Sequence, residues 1–182
     1  MGCIDYVKAF DSVEHKDLFA ALRKVGINEG YVQLLEDIYT NATARIHIEN
    51  DILNIIRIER GVHQGDTLSP KVFTTAMEEI FRKLNLQERG VNVDGERLTD
   101  LRFADNVALI TTSVKVMEVH LNNLNIESKK IGLKIHKGKT KYMTSYQSDE
   151  TIMVEKEEID IRWTGIIPWS NIMLGNTPEK KF

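Results

Sequence analysis

Residues 101–110 read LRFADNVALI, two short apolar runs around the polar pair Asp105-Asn106. Asp and Asn tolerate positive φ and sit readily at hairpin tips. The stretch therefore predicts antiparallel strands at Leu101–Phe103 and Val107–Ile110 joined by a tight turn. A carboxylate at a strand end can equally be half of a metal site, and these ten residues leave both readings open. Hairpins recur along the chain. In ARIHIENDILNIIRIERG, Ile46 and Ile48 alternate with Arg45, His47 and Glu49, and Ile56 and Ile58 with Arg57 and Glu59. That two-residue period around Asn50-Asp51 predicts another hairpin, with His47 on its solvated face. Asp94-Gly95, between VNV and ERL, signals a third.

Between the hairpins the period lengthens to that of helices. Leu18, Phe19, Leu22 and Val25 form a stripe over Asp17–Val25, which Gly26 stops. Asn28 is placed to cap a second helix, with Tyr31, Leu34, Leu35 and Ile38 on its apolar face. Ser69 caps and Pro70 opens a third, whose stripe runs from Val72 and Phe73 to Leu84. Val114, Met117, Leu121, Leu124 and Ile131 mark a long fourth, ended by Gly132. Further strands are expected at Cys3–Val7, Lys141–Ser145, Ile152–Val154 and Ile159–Trp163. Strands and helices mix without regular βαβ units, so the fold class is α+β. A core-like strand almost at the first residue suggests that sequence precedes it.

Composition narrows the function classes. The 182 residues are 42% hydrophobic and 28% charged, enough apolar material for one domain with a core. A net charge of −3 gives no global basic field, so any nucleic-acid contact must use a local patch. The single cysteine, Cys3, rules out an intrachain disulfide and fits a reducing intracellular compartment. No apolar run is long enough to span a membrane. Lys129–Lys141 holds six lysines in 13 residues, and Asp149–Asp160 six acids in 12. The two segments read either as a phosphate-tracking edge beside an acidic loop or as surfaces that neutralise each other.

Three motifs stand in order: DYVKAFDSVEH (Asp5–His15), GVHQGDTLSPKVF (Gly61–Phe73) and FADN (Phe103–Asn106). In this combination and at these separations the chain resembles the reverse transcriptases of non-LTR, LINE-type retrotransposons, especially the RTE-like and insect endonuclease–reverse transcriptase group. The resemblance runs from Asp5 to about Tyr146 and more weakly to Gly175. It implies a polymerase palm, a ferredoxin-like antiparallel sheet with helices packed on one face, over residues 1–175, followed by a frayed tail at 176–182. Fingers and thumb are expected to be largely absent.

The same resemblance implies the site. Asp5 would end the first palm strand and bind both catalytic metals, with Asp105 beside it. Phe10 corresponds to the bulky gate under the nucleotide sugar, and Gln64 and Gly65 to the loop packing on incoming nucleotide and template. GLKIHKGKTKYM, Gly132–Met143, resembles the fourth palm motif, with His136 for the usual Asn. Lys137, Lys139 and Lys141 from this segment are the candidate nucleic-acid contacts. Met173-Leu174-Gly175 is a worn match to the primer-grip motif. The implied activity is RNA-directed DNA polymerisation with two Mg²⁺ ions (Mn²⁺ as a substitute), a deoxynucleoside triphosphate, an RNA template and a DNA primer. Mg²⁺ prefers hard oxygen ligands, and two such ions can stabilise both oxygens of an in-line displacement.

One departure bears on activity. Asn106 stands where the family carries a second aspartate; its amide oxygen can meet a cation but brings no charge. Lys8 and Asp11 read as structural, a local ion pair with Asp11 also placed to cap the helix near Lys16. An alternative expectation is therefore an inactive retroelement remnant that binds nucleic acid or a partner protein.

Overall fold

The computed structural model describes residues 1–45, 47–48, 51–52, 55–84, 86, 90–145, 150–159 and 161–164. The Met173-Leu174-Gly175 match and the 176–182 tail lie outside the described residues, as do Ile46 and Asn50.

The chain opens with β1 (Gly2–Ile4), α1 (Ala9–Ser12), α2 (His15–Val25) and α3 (Glu29–Thr40). A ribbon follows: β2 (Thr43–Ala44), β3 (His47–Ile48), β4 (Asp51–Ile52) and β5 (Ile56–Arg57). Next come α4 (Ser69–Leu84), β6 (Val91–Val93), β7 (Glu96–Leu98), β8 (Asp100–Phe103) and β9 (Asn106–Leu109). The remainder is α5 (Val114–Lys130), β10 (Lys141–Thr144), β11 (Ile152–Val154), β12 (Glu157–Ile159) and β13 (Ile161–Thr164). The expected α+β class is met.

The main sheet has the order β13-β10-β1-β9-β8. β1 runs antiparallel to both neighbours and β9 antiparallel to β8, while β13 joins β10 in parallel. Burial alternates along β1 and β10, the pattern of a sheet with one face against the core. A Cβ on Gly2 would lie 2.8 Å from the Met117 sulfur, so α5 sits directly on β1. Helices α2, α4 and α5 pack in sequence across that core, with Leu18, Phe73, Ile80, Leu121 and Leu124 fully buried. The β11–β12 hairpin closes the far side of α5 through Ile152, Val154 and Ile159.

Several local expectations shift. Asn28 caps α3 as expected, its side chain accepting from the Gly30 N–H at 2.9 Å. The face that α3 buries is Val32 and Tyr39, with Leu35 half-covered; Tyr31, Leu34 and Ile38 are exposed. Ser69 is the first residue of α4 rather than its cap: the Val72 N–H donates to the Leu68 carbonyl at 3.0 Å. The tight turn at 101–110 moves back by one residue. Phe103 pairs with Asn106, leaving Ala104 and Asp105 as the turn. Ala104 has φ 54°, left-handed backbone that costs a non-glycine residue about 1–2 kcal/mol.

Candidate active site

The site grows from the centre of the sheet. In the β1–β9 ladder, Ile4 pairs with Val107. Asp5 directly follows Ile4, and Asn106 directly precedes Val107 with Asp105 in the turn before it, so all three lie at the end where this ladder stops. Strands run about 4.8 Å apart, so two loops at one end of adjacent central strands are neighbours. Asp5 and the Asp105-Asn106 pair, 100 residues apart in sequence, thus share one end of the sheet. Phe103, the strand partner of Asn106, is 80% exposed there.

The backbone around Asp5 is tied to the fourth motif. The Asp5 N–H donates to Thr140 Oγ1 at 3.3 Å, and its carbonyl accepts from the His136 N–H at 2.7 Å. The Val7 N–H donates to the Lys134 carbonyl at 2.8 Å. Between them Tyr6 turns inward, its hydroxyl 2.8 Å from Ser128 Oγ on α5. Burial pushes the Tyr6 phenol up to about 12. With Tyr6 inward, the flanking Asp5 carboxylate is left half-exposed at the surface.

The three candidate lysines diverge. Lys139 brings its ammonium to 3.9 Å from Asp5 Oδ2. Lys137 is drawn away to Glu157 at 2.8 Å and Glu155 at 3.3 Å, with its side chain only 15% exposed. Lys141 lies in β10, paired in register with Cys3.

The first and second motifs meet across a cavity of about 340 Å³. It is lined by Phe10, by residues His63–Asp66, which include Gln64 and Gly65, and by Ser69 and Pro70. Phe10 stacks on Phe73 of α4, ring centroids 4.4 Å apart, which fixes the ring at the cavity wall. The loop is tied to α1 and its C-cap by backbone bonds: Val62 N–H to the Phe10 carbonyl at 2.6 Å and Gly61 N–H to the Val13 carbonyl at 2.8 Å. His15 adds a 2.8 Å bond from Nε2 to the Gly61 carbonyl and packs edge-on against Tyr39. Gly61 is required twice over. Its φ is +85°, and a Cβ there would lie 2.8 Å from the Asp11 backbone.

Asp11 differs from its expected role. It lies inside α1 and accepts from Gln64 Nε2 at 3.0 Å, while α2 has Glu14 as its N-cap with no side-chain bond. No ion pair joins Lys8 to Asp11 among the described residues. His63 lines the cavity and Asp11 bonds to its lining residue Gln64, and neither is expected there from the sequence. The signal for Asp11 was present as the second aspartate of D-x-x-K-A-F-D.

The residue types at this end of the sheet, two carboxylates and an amide, are those a hard cation takes. Among the described residues no three His, Cys, Asp or Glu side chains gather as a metal group. Asp5 and Asp105 supply two carboxylates and Asn106 an amide oxygen. Mg²⁺ is bound by one or two carboxylates together with substrate phosphates, so this set fits it. The Lys139 ammonium pairs with Asp5 at 3.9 Å across a part-exposed surface.

Sequence comparison bears on the whole arrangement. The profile of the family described as reverse transcriptase (RNA-dependent DNA polymerase) matches residues 1–167. The chain belongs to the reverse transcriptase family. It is 33% identical over 141 residues to a retrovirus-related Pol polyprotein from a type-1 R2 retrotransposable element of Bradysia coprophila, covering 78% of this chain and 16% of that protein. The corresponding Nasonia vitripennis protein is 30% identical over 135 residues, 74% of this chain and 13% of that one. The type-2 element R2DM polyprotein of Drosophila melanogaster is 29% identical over 136 residues, 75% and 13% respectively. The chain thus spans less than a fifth of these relatives, whose names agree with the LINE-type resemblance of its motifs.

Apo telomerase from Candida tropicalis, truncated from its C-terminal domain, has a similar structure, with a TM-score of 0.56 and 16% identity. The likeness covers 74% of this reverse transcriptase chain and 28% of the telomerase chain. At that identity it speaks to fold alone, and it bears out the palm-type reading. No helix among the described residues is long and apolar enough to cross a membrane.

Proposed function

We propose that this reverse transcriptase chain is the palm of an RNA-directed DNA polymerase, adding deoxynucleotides to a DNA primer on an RNA template. The observation that carries the reading is the Ile4–Val107 register, which supports Asp5 and the Ala104-Asp105 turn lying at one end of the sheet. Asp5 and Asp105 would hold two Mg²⁺ ions, or Mn²⁺ in their place. When bound, such a pair supplies charge stabilisation at the attacking and leaving oxygens of the transfer.

The chain's own residues bind and orient. Phe10, held by Phe73, presents a flat apolar wall for the sugar of the incoming nucleotide. Gln64 offers amide hydrogen bonds from the facing loop, and Gly65, with φ +94° and open space at its Cβ position, lets backbone approach the ligand. Lys139 is the lysine of its segment placed to meet a phosphate near Asp5. The Glu155 and Glu157 pairs around Lys137 favour a neutralised surface for that residue over a phosphate-tracking one.

Asn106 weakens the site. Two unit charges 4 Å apart interact by about 4 kcal/mol at an effective dielectric near 20, and an amide forgoes that attraction. This substitution favours a second reading, a remnant that retains nucleic-acid binding with impaired turnover. Primer extension on an RNA template with Mg²⁺ separates the two. The polymerase reading predicts incorporation that Asp5→Asn and Asp105→Asn each abolish. Incorporation untouched by both substitutions overturns it, and template binding without incorporation in the unsubstituted chain selects the remnant.

A further inference from the structure

We infer that Asp11 is a positioning residue for the nucleotide pocket: it fixes the direction of the Gln64 carboxamide. The inference rests on the nucleotidyl-transfer reading above and adds to it a residue with no assigned role. Backbone bonds from Gly61 and Val62 bring the loop to α1, but they do not set the rotation of the Gln64 side chain. Among the described residues, the hydrogen bond recorded for that side chain is the 3.0 Å one from Nε2 to Asp11 Oδ1. An ionised carboxylate only accepts, so it admits the amide nitrogen and refuses the amide oxygen. While this exposed bond is made, the Gln64 amide has one orientation. Its carbonyl oxygen and remaining N–H are left for a ligand in the cavity that Gln64 and Phe10 both line.

Asp11 is held for this task from behind. The Cβ position of Gly61 falls 2.8 Å from the Asp11 Cα, carbonyl carbon and oxygen, so loop and helix backbones are in contact where the side-chain bond forms. Asp11 and Phe10 are consecutive in α1, which couples amide direction to gate position. A ligand that meets a pre-set amide loses less rotamer freedom on binding than one that must order it.

Asp11→Asn separates positioning from a merely structural bond. Asparagine can accept from Nε2 or donate to Oε1, so it keeps a hydrogen bond to Gln64 while losing its direction. Binding of dATP is read by calorimetry in Ca²⁺, for the chain as it stands and for Asp11→Asn, Gln64→Ala and the double variant. Thermal melting is followed on each. The expected result is an unchanged melting temperature for Asp11→Asn with dATP affinity about 3–10-fold weaker. The double variant should be no weaker than Gln64→Ala alone. In primer extension the loss should fall on KM for the nucleotide, with kcat within about twofold. Wild-type affinity in Asp11→Asn, or losses that multiply independently with Gln64→Ala, overturns the inference while leaving the nucleotide pocket intact. Absence of dATP binding in the unsubstituted chain overturns both.

Discussion

The Lys139 ammonium stands 3.9 Å from Asp5 Oδ2, on one of the two carboxylates proposed to hold a divalent cation. On that proposal, lysine and metal would compete for one carboxylate. The pair is part-exposed, the lysine side chain at 64% and the aspartate at 38%, so its worth is that of a screened surface pair, about 0.2–1 kcal/mol. Lys139→Ala should raise Mg²⁺ affinity by up to about fivefold in calorimetry without nucleotide. With a triphosphate present the sign should reverse, because the same lysine then meets a phosphate. Weaker Mg²⁺ binding in the nucleotide-free variant would reject this competition.

Asn106→Asp adds a charge at the start of β9, next to Asp105 and at the sheet end that holds Asp5. The expected outcome is a Mg²⁺ concentration for half-maximal primer extension lowered by about 3–10-fold, from part of the ~4 kcal/mol available to a close charge pair. Equal extension by both forms at limiting and saturating Mg²⁺ would show that the amide is not the weak point.

Gly61→Ala tests the contact between the first and second motifs. A left-handed residue with backbone 2.8 Å from its new Cβ carries about 1–3 kcal/mol of strain, lowering the melting temperature by roughly 3–10 °C. Gly95→Ala is the control: its φ is +92°, but nothing lies within 4 Å of the added Cβ. Equal losses at the two positions would mean that the approach of Gly61 to Asp11 does not matter.

The β11–β12 hairpin should respond to acid. Hydrogen bonds from Lys129 and then Lys137 hold the Glu155 carboxyl down at about 2, below its ordinary 4.5. Its contribution is complete above pH 4.5 and is lost as pH falls from 4.5 through about 2, since the unfolded state takes up the proton first. A carbon-detected titration of Glu155 should show a midpoint well below 4, moving toward 4.5 in Lys129→Ala. A midpoint near 4.5 in the unsubstituted chain would contradict the pairing.

Much of this is legible in the sequence alone. Asn28 and Gly26 punctuate helices because a cap oxygen and a left-handed stop are local chemistry. The Asp5 and FADN segments fall at strand ends because alternation and turn residues are local too. Failures came where tertiary partners decide. In YVQLLEDIY, Val32, Leu35 and Tyr39 form one stripe and Tyr31, Leu34 and Ile38 another, one residue out of phase. Periodicity detects both, and only packing selected the first for burial. The pairing of Asp11 with Gln64 and the capture of Lys137 by Glu155 and Glu157 join residues 53, 18 and 20 positions apart, beyond any local pattern.

The central claim is that Asp5 and Asp105 serve one divalent site. Titration with Mn²⁺ followed by electron paramagnetic resonance tests it on the unsubstituted chain, Asp5→Asn, Asp105→Asn and the double variant. The account predicts that either single substitution removes most of the bound Mn²⁺ and that the double removes little more. Binding that survives each single change and falls only by separate, additive amounts would place the two carboxylates at different sites and contradict it.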